Sequence, residues 1–325
     1  MRREIGGGKS AILPEGGDVS GTAAPPSAGS EAALEWREWL AGGVGATLAG
    51  VALKASVRSA HQHIEIGEHP LFGHVFRLDG RIMSAEADAF IQHEVMIHPM
   101  AAAHGAATSA LVIGGGDGGS ARELLRLPGM REVVVAELDA EVVRLARRWL
   151  PGIHHGAFDD PRVTLEIGDG LAVMERLRDA GRRFDLLVFD LTEADDGGPA
   201  AELFGTRGLQ AAHGCLAPGG AMSLHLGPPF HRPETAQLLW QRLRDRFRLV
   251  QPMTVAIPAY GALWAIAVAS DTLDVRGADP ATLAARLADW KLDGALRCYH
   301  AGLHAALFAL PRHLQPLFDG GATSA

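Results

Sequence analysis

Only two cysteines, Cys215 and Cys298, occur in 325 residues, and neither belongs to a CxxC pair or to the His/Cys spacing of a zinc site. That excludes a disulfide framework, gives no ground for a metal, and makes a reducing, cytoplasmic setting the expectation. Long apolar runs are lacking too. One uncharged, mostly apolar stretch, WLAGGVGATLAGVAL from Trp39 to Leu53, contains four glycines. It falls short of the ~20 residues that cross a bilayer, so it reads as a packed or irregular soluble segment, with no membrane partner expected. Residues 1–30 are dominated by Gly, Pro, Ser and Ala without the apolar core of a signal peptide, and a disordered tail is expected there. Basic clusters are missing as well. The 30 Lys and Arg are scattered among 38 Asp and Glu, for a net charge of -8, which leaves no footprint for nucleic acid and suits a small cationic partner.

What is present is ample core-forming material: 47% of the chain is hydrophobic, enough for one large domain and a smaller one. From His61 to Met83, short apolar stretches are broken by Gly67, Gly73 and Asp79-Gly80, which reads as a small antiparallel sheet with turns at those points. After Asp88 a helical stretch, AFIQHEVMIHPMAAAH, leads to the apolar run SALVI and then GGGDGG. Beyond it, apolar runs ending in acids alternate with amphipathic stretches: REVVVAELD, AEVVRLARRWL, RVTLEIGDG and FDLLVFD. GGAMSLHL and LWAIAVAS read as further strands, while ATLAARLADW and Leu303 to Leu317 read as helical, the latter interrupted by Pro311 and Pro316. This alternation predicts an α/β fold whose parallel sheet is covered on both faces. The expected division is a small N-terminal β-sheet domain over 31–105 and a Rossmann-like catalytic domain over 106–325.

The chemistry-bearing residues cluster at the predicted strand ends. Gly114, Gly116 and Gly119 form GxGxxG directly after a buried strand, and Glu137 ends the next strand about twenty residues on, where its carboxylate can accept from both hydroxyls of a ribose. This pattern alone does not separate a nicotinamide cofactor from an adenosyl one. Asp117 does, because it puts an anion where a dinucleotide would place its pyrophosphate. A ligand presenting an ammonium suits that position. Ordinary S-adenosylmethionine carries an ammonium and a carboxylate, the decarboxylated form only the ammonium, so Asp117 favours the latter. Asp117 also reads as a cap for the following helix. Asp169 with Gly170 suits the exocyclic amine of adenine, and Asp190 with Glu193 offers a general base and a second cation anchor over the same cleft. Asp195 and Asp196 read as a solvated acidic loop.

These stretches resemble the spermidine synthase family of aminopropyltransferases. The resemblance runs from about Gln62 to Pro311 through QHIEI, LDGRIM, DAFIQHEVMIHP, VIGGGDGGSARELL, VVVAELD, DDPRVTLEIGDG, FDLLVFD, GGPAAELF, IPAY and YHAGLHAALFALP. It implies a class I methyltransferase-type Rossmann-like sheet, decarboxylated S-adenosylmethionine as co-substrate with no permanently bound cofactor, a di- or polyamine acceptor, and a homodimer or homotetramer. Residue by residue, it implies that Gln62, His93 and Asp117 hold the aminopropyl end, Glu137 the ribose, and Asp169 and Gly170 the adenine. Asp190 matches the catalytic aspartate, and Tyr260 lines the amine site.

Three departures fall on the amine side. Gln92 stands where the family has tyrosine in DEFxYHE, with Ala89 replacing Glu; the stretch DLTEADDGGPA carries Glu193 as its second acid and two extra residues; and His225 stands where many relatives have Gln. An acceptor other than putrescine, such as agmatine or a longer polyamine, is the resulting expectation. Two other readings stay open on the residues: an S-adenosylmethionine-dependent amine N-methyltransferase sharing the GGGDGG scaffold, and a non-catalytic binding protein for polyamine or adenosyl ligands.

Overall fold

The computed structural model describes residues 33–191 and 201–319. The expected tail at 1–30, and Glu193, Asp195 and Asp196, lie outside the described residues.

Five antiparallel strands open the chain in sequential order: β1 (Leu34–Ala41), β2 (Val44–Arg58), β3 (His63–His69), β4 (Gly73–Leu78) and β5 (Arg81–Ala85). Two expectations are corrected here. Trp39 to Leu53 is not irregular, because Gly42 and Gly43 adopt positive φ (49° and 83°) and turn β1 back onto β2, so the glycines that argued against order supply the hairpin. Gly67 is not a turn; it lies inside β3, where Val51 and Trp36 fill the space a side chain would need.

The second sheet has the order β11-β12-β10-β9-β6-β7-β8. Its strands are β6 (Ser109–Gly114), β7 (Glu132–Glu137), β8 (Val163–Ile167), β9 (Phe184–Asp190), β10 (Leu216–Gly227), β11 (Leu249–Ile257) and β12 (Ala262–Ser270). The helices are α1 (Ala89–His104), α2 (Gly119–Leu125), α3 (Ala140–Trp149), α4 (Pro151–His154), α5 (Gly170–Asp179), α6 (Thr206–Cys215), α7 (Pro233–Arg244), α8 (Pro280–Asp289), α9 (Ala301–Leu307) and α10 (Gln315–Phe318). The ladders joining β6 to β7 and β9, β7 to β8, and β9 to β10 are parallel, whereas β12 runs antiparallel to both its neighbours. The expected parallel, class I methyltransferase-type sheet is therefore present with one reversed strand, and β11 is an addition that Pro252 had concealed. Proline is tolerated there because β11 is at the sheet edge.

The apolar runs that mark β6, β7 and β9 are buried because both sheet faces are covered. One face packs α1, α2 and α8, and the other packs α5, α6 and α7. The small sheet docks through Ile64, Ile66, Phe76 and Leu78 onto Val142, Leu145 and Ala146 of α3. Helix α1 is unusual in burying Gln92, His93 and Glu94 consecutively. Glu94 is fully enclosed and accepts from the backbone N–H groups of Arg297 (2.9 Å), Cys298 (2.7 Å) and Tyr299 (2.9 Å), which ties the C-terminal segment to this helix. Each such charge-assisted bond contributes about 1.5–3 kcal/mol, which offsets the cost of burying the carboxylate.

Candidate active site

Strand order reverses between β6 and β9, the place where open α/β sheets bind ligands. A cleft of about 460 Å³ opens there, with walls that include Gln62, Asp117, Glu137, Asp169, Gly170 and Asp190. A second, tighter pocket of about 20 Å³ adjoins it, and Arg81, Met83 and Leu191 line both. Glu38, Ile82, Gln92, His225, Tyr260 and Trp264 complete the smaller pocket.

The glycine loop shapes the cleft by close approach. Gly114 has φ 79°, a conformation glycine adopts freely, and a side chain on Gly116 would meet the Glu137 carboxylate at 2.7 Å. Glu137 thus sits directly over the loop, accepts from the Asp139 N–H at 2.9 Å, and is pushed up to about 7, chiefly by burial, with the Asp139 charge adding to the effect. Asp139, which the sequence reading passed over, anchors this corner by accepting from Ser59 Oγ (2.6 Å) and Gln62 Nε2 (3.2 Å). Gln62 therefore lines the cleft but is tied to the corner beside Glu137.

Asp117 lines the cleft, and its Oδ1 accepts from the Gly119 N–H at the start of α2 at 2.9 Å. Burial raises its pKa, opposed by the charge of His93. Asp169 similarly caps α5 by accepting from the Leu171 N–H at 3.0 Å while lining the cleft. The space opposite Gly170 is taken by the Ile113 side chain, 2.5 Å from where a Cβ would sit, so that glycine is required first for helix–strand packing.

Asp190 ends β9 at the junction of the two cavities. Its Oδ1 accepts from Gln92 Nε2 at 3.1 Å and its Oδ2 from Ser120 Oγ at 2.7 Å. Burial favours its neutral form, but the His93 charge and the Ser120 hydroxyl hold its pKa below the usual value, so the carboxylate is ionised. His93 Nε2 lies 3.6 Å from Asp190 Oδ2 and 3.7 Å from Asp117 Oδ1. Burial would lower its pKa, but the two carboxylates outweigh that and raise it to about 9. These three residues place one ligand-type atom each within 4.8 Å of one another, but a metal would have to displace the imidazolium proton.

At the smaller pocket, Trp264 Nε1–H donates to His225 Nδ1 at 2.9 Å, which assigns the ring proton to Nε2, and burial pushes His225 down to about 4, so the ring is neutral. Gln92 Nε2 faces His225 Nε2 at 3.1 Å. Tyr260 keeps its hydroxyl proton, since burial and the Asp190 charge raise its pKa; the hydroxyl contacts Gln92 Oε1 and the Met83 carbonyl. The structure thus brings Gln92 and Tyr260 together against Asp190. Glu38 on β1 borders this pocket, is buried, and accepts from the Ile82 N–H at 3.0 Å. Neither Glu38 nor Ser120 carried a sequence signal; Asp139 had one, an acid directly before the amphipathic stretch of α3.

Residues 89–276, from the start of α1 through β12, match the spermine/spermidine synthase domain. The chain belongs to the spermine/spermidine synthase family. A polyamine aminopropyltransferase of Nitrosomonas europaea is 43% identical over 295 residues, covering 91% of this chain and 89% of that protein. Polyamine aminopropyltransferase 1 of Pseudomonas aeruginosa is 37% identical over 79% of this chain and 88% of its own length. Among solved structures, a spermidine synthase in complex with the transition state analogue AdoDATO superposes with a TM-score of 0.82 at 28% identity, covering 91% of this chain and 98% of that one. The spermidine synthase of Thermotoga maritima gives 0.79 at 27% identity, with 91% and 97% covered. As a member of this family the chain is a transferase with a Rossmann-like fold.

Proposed function

We propose that the large cleft binds decarboxylated S-adenosylmethionine and that the chain transfers its aminopropyl group to an amine seated in the adjoining pocket, releasing methylthioadenosine. Aminopropyl transfer is the family's activity. In this reading Asp169 and Gly170 flank the adenine, Glu137 accepts from the ribose, and Asp117 takes the aminopropyl ammonium. The observation that carries it is Asp190, ionised and exposed to the cleft while bonded to Gln92 of the smaller pocket, so that one carboxylate serves both partners.

An alkylammonium has a pKa of about 10.4 and attacks only after losing a proton. Asp190 accepts that proton while the neighbouring sulfonium disfavours a second cation. The amine nitrogen bonds the carbon next to sulfur, the carbon–sulfur bond breaks, and its electron pair neutralises the sulfonium. The acceptor's other end reaches Glu38, with Tyr260, Trp264 and His225 enclosing its carbon chain. Gln92 and His225, which depart from the residues that the family resemblance leads one to expect, favour an acceptor other than putrescine. The two free cysteines suit a cytoplasmic enzyme, and a homodimer or homotetramer follows from the family resemblance. Among the described residues no helix is long and apolar enough to cross a membrane.

The test is to supply decarboxylated or ordinary S-adenosylmethionine with an amine panel and identify products by mass. Aminopropylated amine formed only from the decarboxylated form is expected; methylated amine from the ordinary form would overturn the reading.

A further inference from the structure

The smaller pocket lies between two bodies of the fold. Glu38 of β1 and Met83 of β5 come from the small sheet, and His225, Tyr260 and Trp264 face them from the larger domain. At about 20 Å³ the pocket has room for little more than a water, so the spacing of these two walls decides how much of an amine chain it takes.

Glu38 is an acid at a core position. Trp36, Glu38 and Leu40 alternate inward along β1, and the Glu38 carboxylate accepts from the Ile82 N–H of β5 at 3.0 Å. That bond is internal to the small sheet and leaves the distance of Glu38 from the opposite wall unset. Arg232, the residue before α7, reaches across from the larger domain. Its Nε donates to the Leu40 carbonyl at 2.6 Å, and its Nη2 lies 3.5 Å from the Trp39 carbonyl. Leu40 is two residues along β1 from Glu38, so the guanidinium holds the backbone that carries the acid. Arg232 also shares a cavity of about 10 Å³ with His225 and Gly227, which puts it beside the His225 wall. The hairpin meets the larger domain at one more point: a side chain on Gly261, the residue after Tyr260, would lie 2.9 Å from the Ala46 side chain of β2.

We propose that Arg232 is a positioning residue that fixes the Glu38 wall against the His225 wall and so selects acceptors carrying a second cation at their far end. The inference rests on the reading of the smaller pocket as the acceptor's seat. A guanidinium suits the task, because it is always charged and its planar fork presents donors to two successive carbonyls at once. A dication held by Asp190 at one end and Glu38 at the other needs those two anions at a set separation. A monoamine meets only Asp190 and is indifferent to where Glu38 sits. Arg232 does not line the pocket and acts through Glu38.

The readout is the preference for a dication over a monoamine. kcat/KM is measured on the full chain with putrescine, cadaverine and agmatine, and with butylamine and pentylamine, which lack the second cation. The wild type should favour the best of the first three over the better monoamine. Arg232→Ala should lower that ratio by about tenfold, the equivalent of one charge-assisted hydrogen bond, through the KM of the dication, with kcat and methylthioadenosine affinity nearly unchanged. Arg232→Lys, which keeps the charge but not the fork, should fall between the two. Equal losses for both kinds of amine, as a general loosening of the fold would give, or no loss at all, would overturn the proposal. Glu38→Gln separates the two levels: it should abolish the preference by itself and leave Arg232→Ala nothing further to remove. A preference that survives Glu38→Gln, or a wild type without one, would mean that the acceptor does not reach Glu38; that reading then fails first and the role of Arg232 falls with it.

Discussion

With Glu137 at the ribose, as proposed, nucleoside binding is expected to depend on pH in a direction fixed by the surroundings of that carboxylate. Burial raises its pKa to about 7, so near neutrality half the molecules carry a protonated carboxyl over the ribose position. A ribose whose two hydroxyls donate to that group binds the ionised form. The ionised fraction rises about tenfold between pH 6 and 8, so affinity should rise by about tenfold, equivalent to about 1.4 kcal/mol. The sign runs the other way for folding: a carboxyl whose pKa is raised in the native state binds more protons folded than unfolded. The unliganded protein therefore loses stability as pH rises from about 4.5 to about 7. Methylthioadenosine is the suitable probe, because it lacks the cations that would pair with Asp117 and Asp190. Calorimetry at pH 6, 7 and 8 should show the gain in affinity with proton release on binding, and Glu137→Gln should flatten it. A wild-type affinity constant across this range, or a slope that survives in the variant, would refute the assignment.

Asp117 should make decarboxylated S-adenosylmethionine bind at least about tenfold more tightly than the ordinary form, since a charge-assisted bond contributes roughly 1.5–3 kcal/mol and the extra carboxylate is repelled; equal affinities by calorimetry would contradict this. Ser120→Ala removes a donor that holds the Asp190 pKa down, so the acid limb of kcat/KM for the amine should move up by about one to two pH units, and an unmoved limb would sink the idea. With putrescine, cadaverine, agmatine and spermidine in competition, we expect an amine other than putrescine to be consumed first, because Gln92 and His225 replace the family's usual residues. Putrescine consumed first would show those replacements to be neutral.

The central sheet was legible because β6, β7 and β9 are largely buried strands that appear as apolar runs ending in glycine or an acid. The same signal located Glu137 and Asp190 at strand ends and Asp117 and Asp169 in the turns that follow them. Along β2, where residues are small and polarity is weak, periodicity carried little information, and the glycines were read as a packed or irregular segment rather than as a hairpin turn. The surroundings of Asp190 were illegible for another reason. Ser120 and Gln92 reach it from 70 and 98 residues away, and no local pattern encodes such a contact. Helix α1 was recognised as a helix, but three consecutive buried polar residues contradict the amphipathic rule. They are explained only by what meets them in space: Asp190 for Gln92, two carboxylates for His93, and three backbone N–H groups for Glu94.

The most direct test of the account is the rate of aminopropyl transfer by Asp190→Asn under single-turnover conditions, with methylthioadenosine affinity measured alongside. Asparagine keeps the shape and the contacts with the large cleft but cannot accept the amine's proton. The account predicts unchanged affinity and a transfer rate lower by about a hundredfold or more. A variant that retains more than about half the wild-type rate, far outside the loss expected of a missing base, would contradict it.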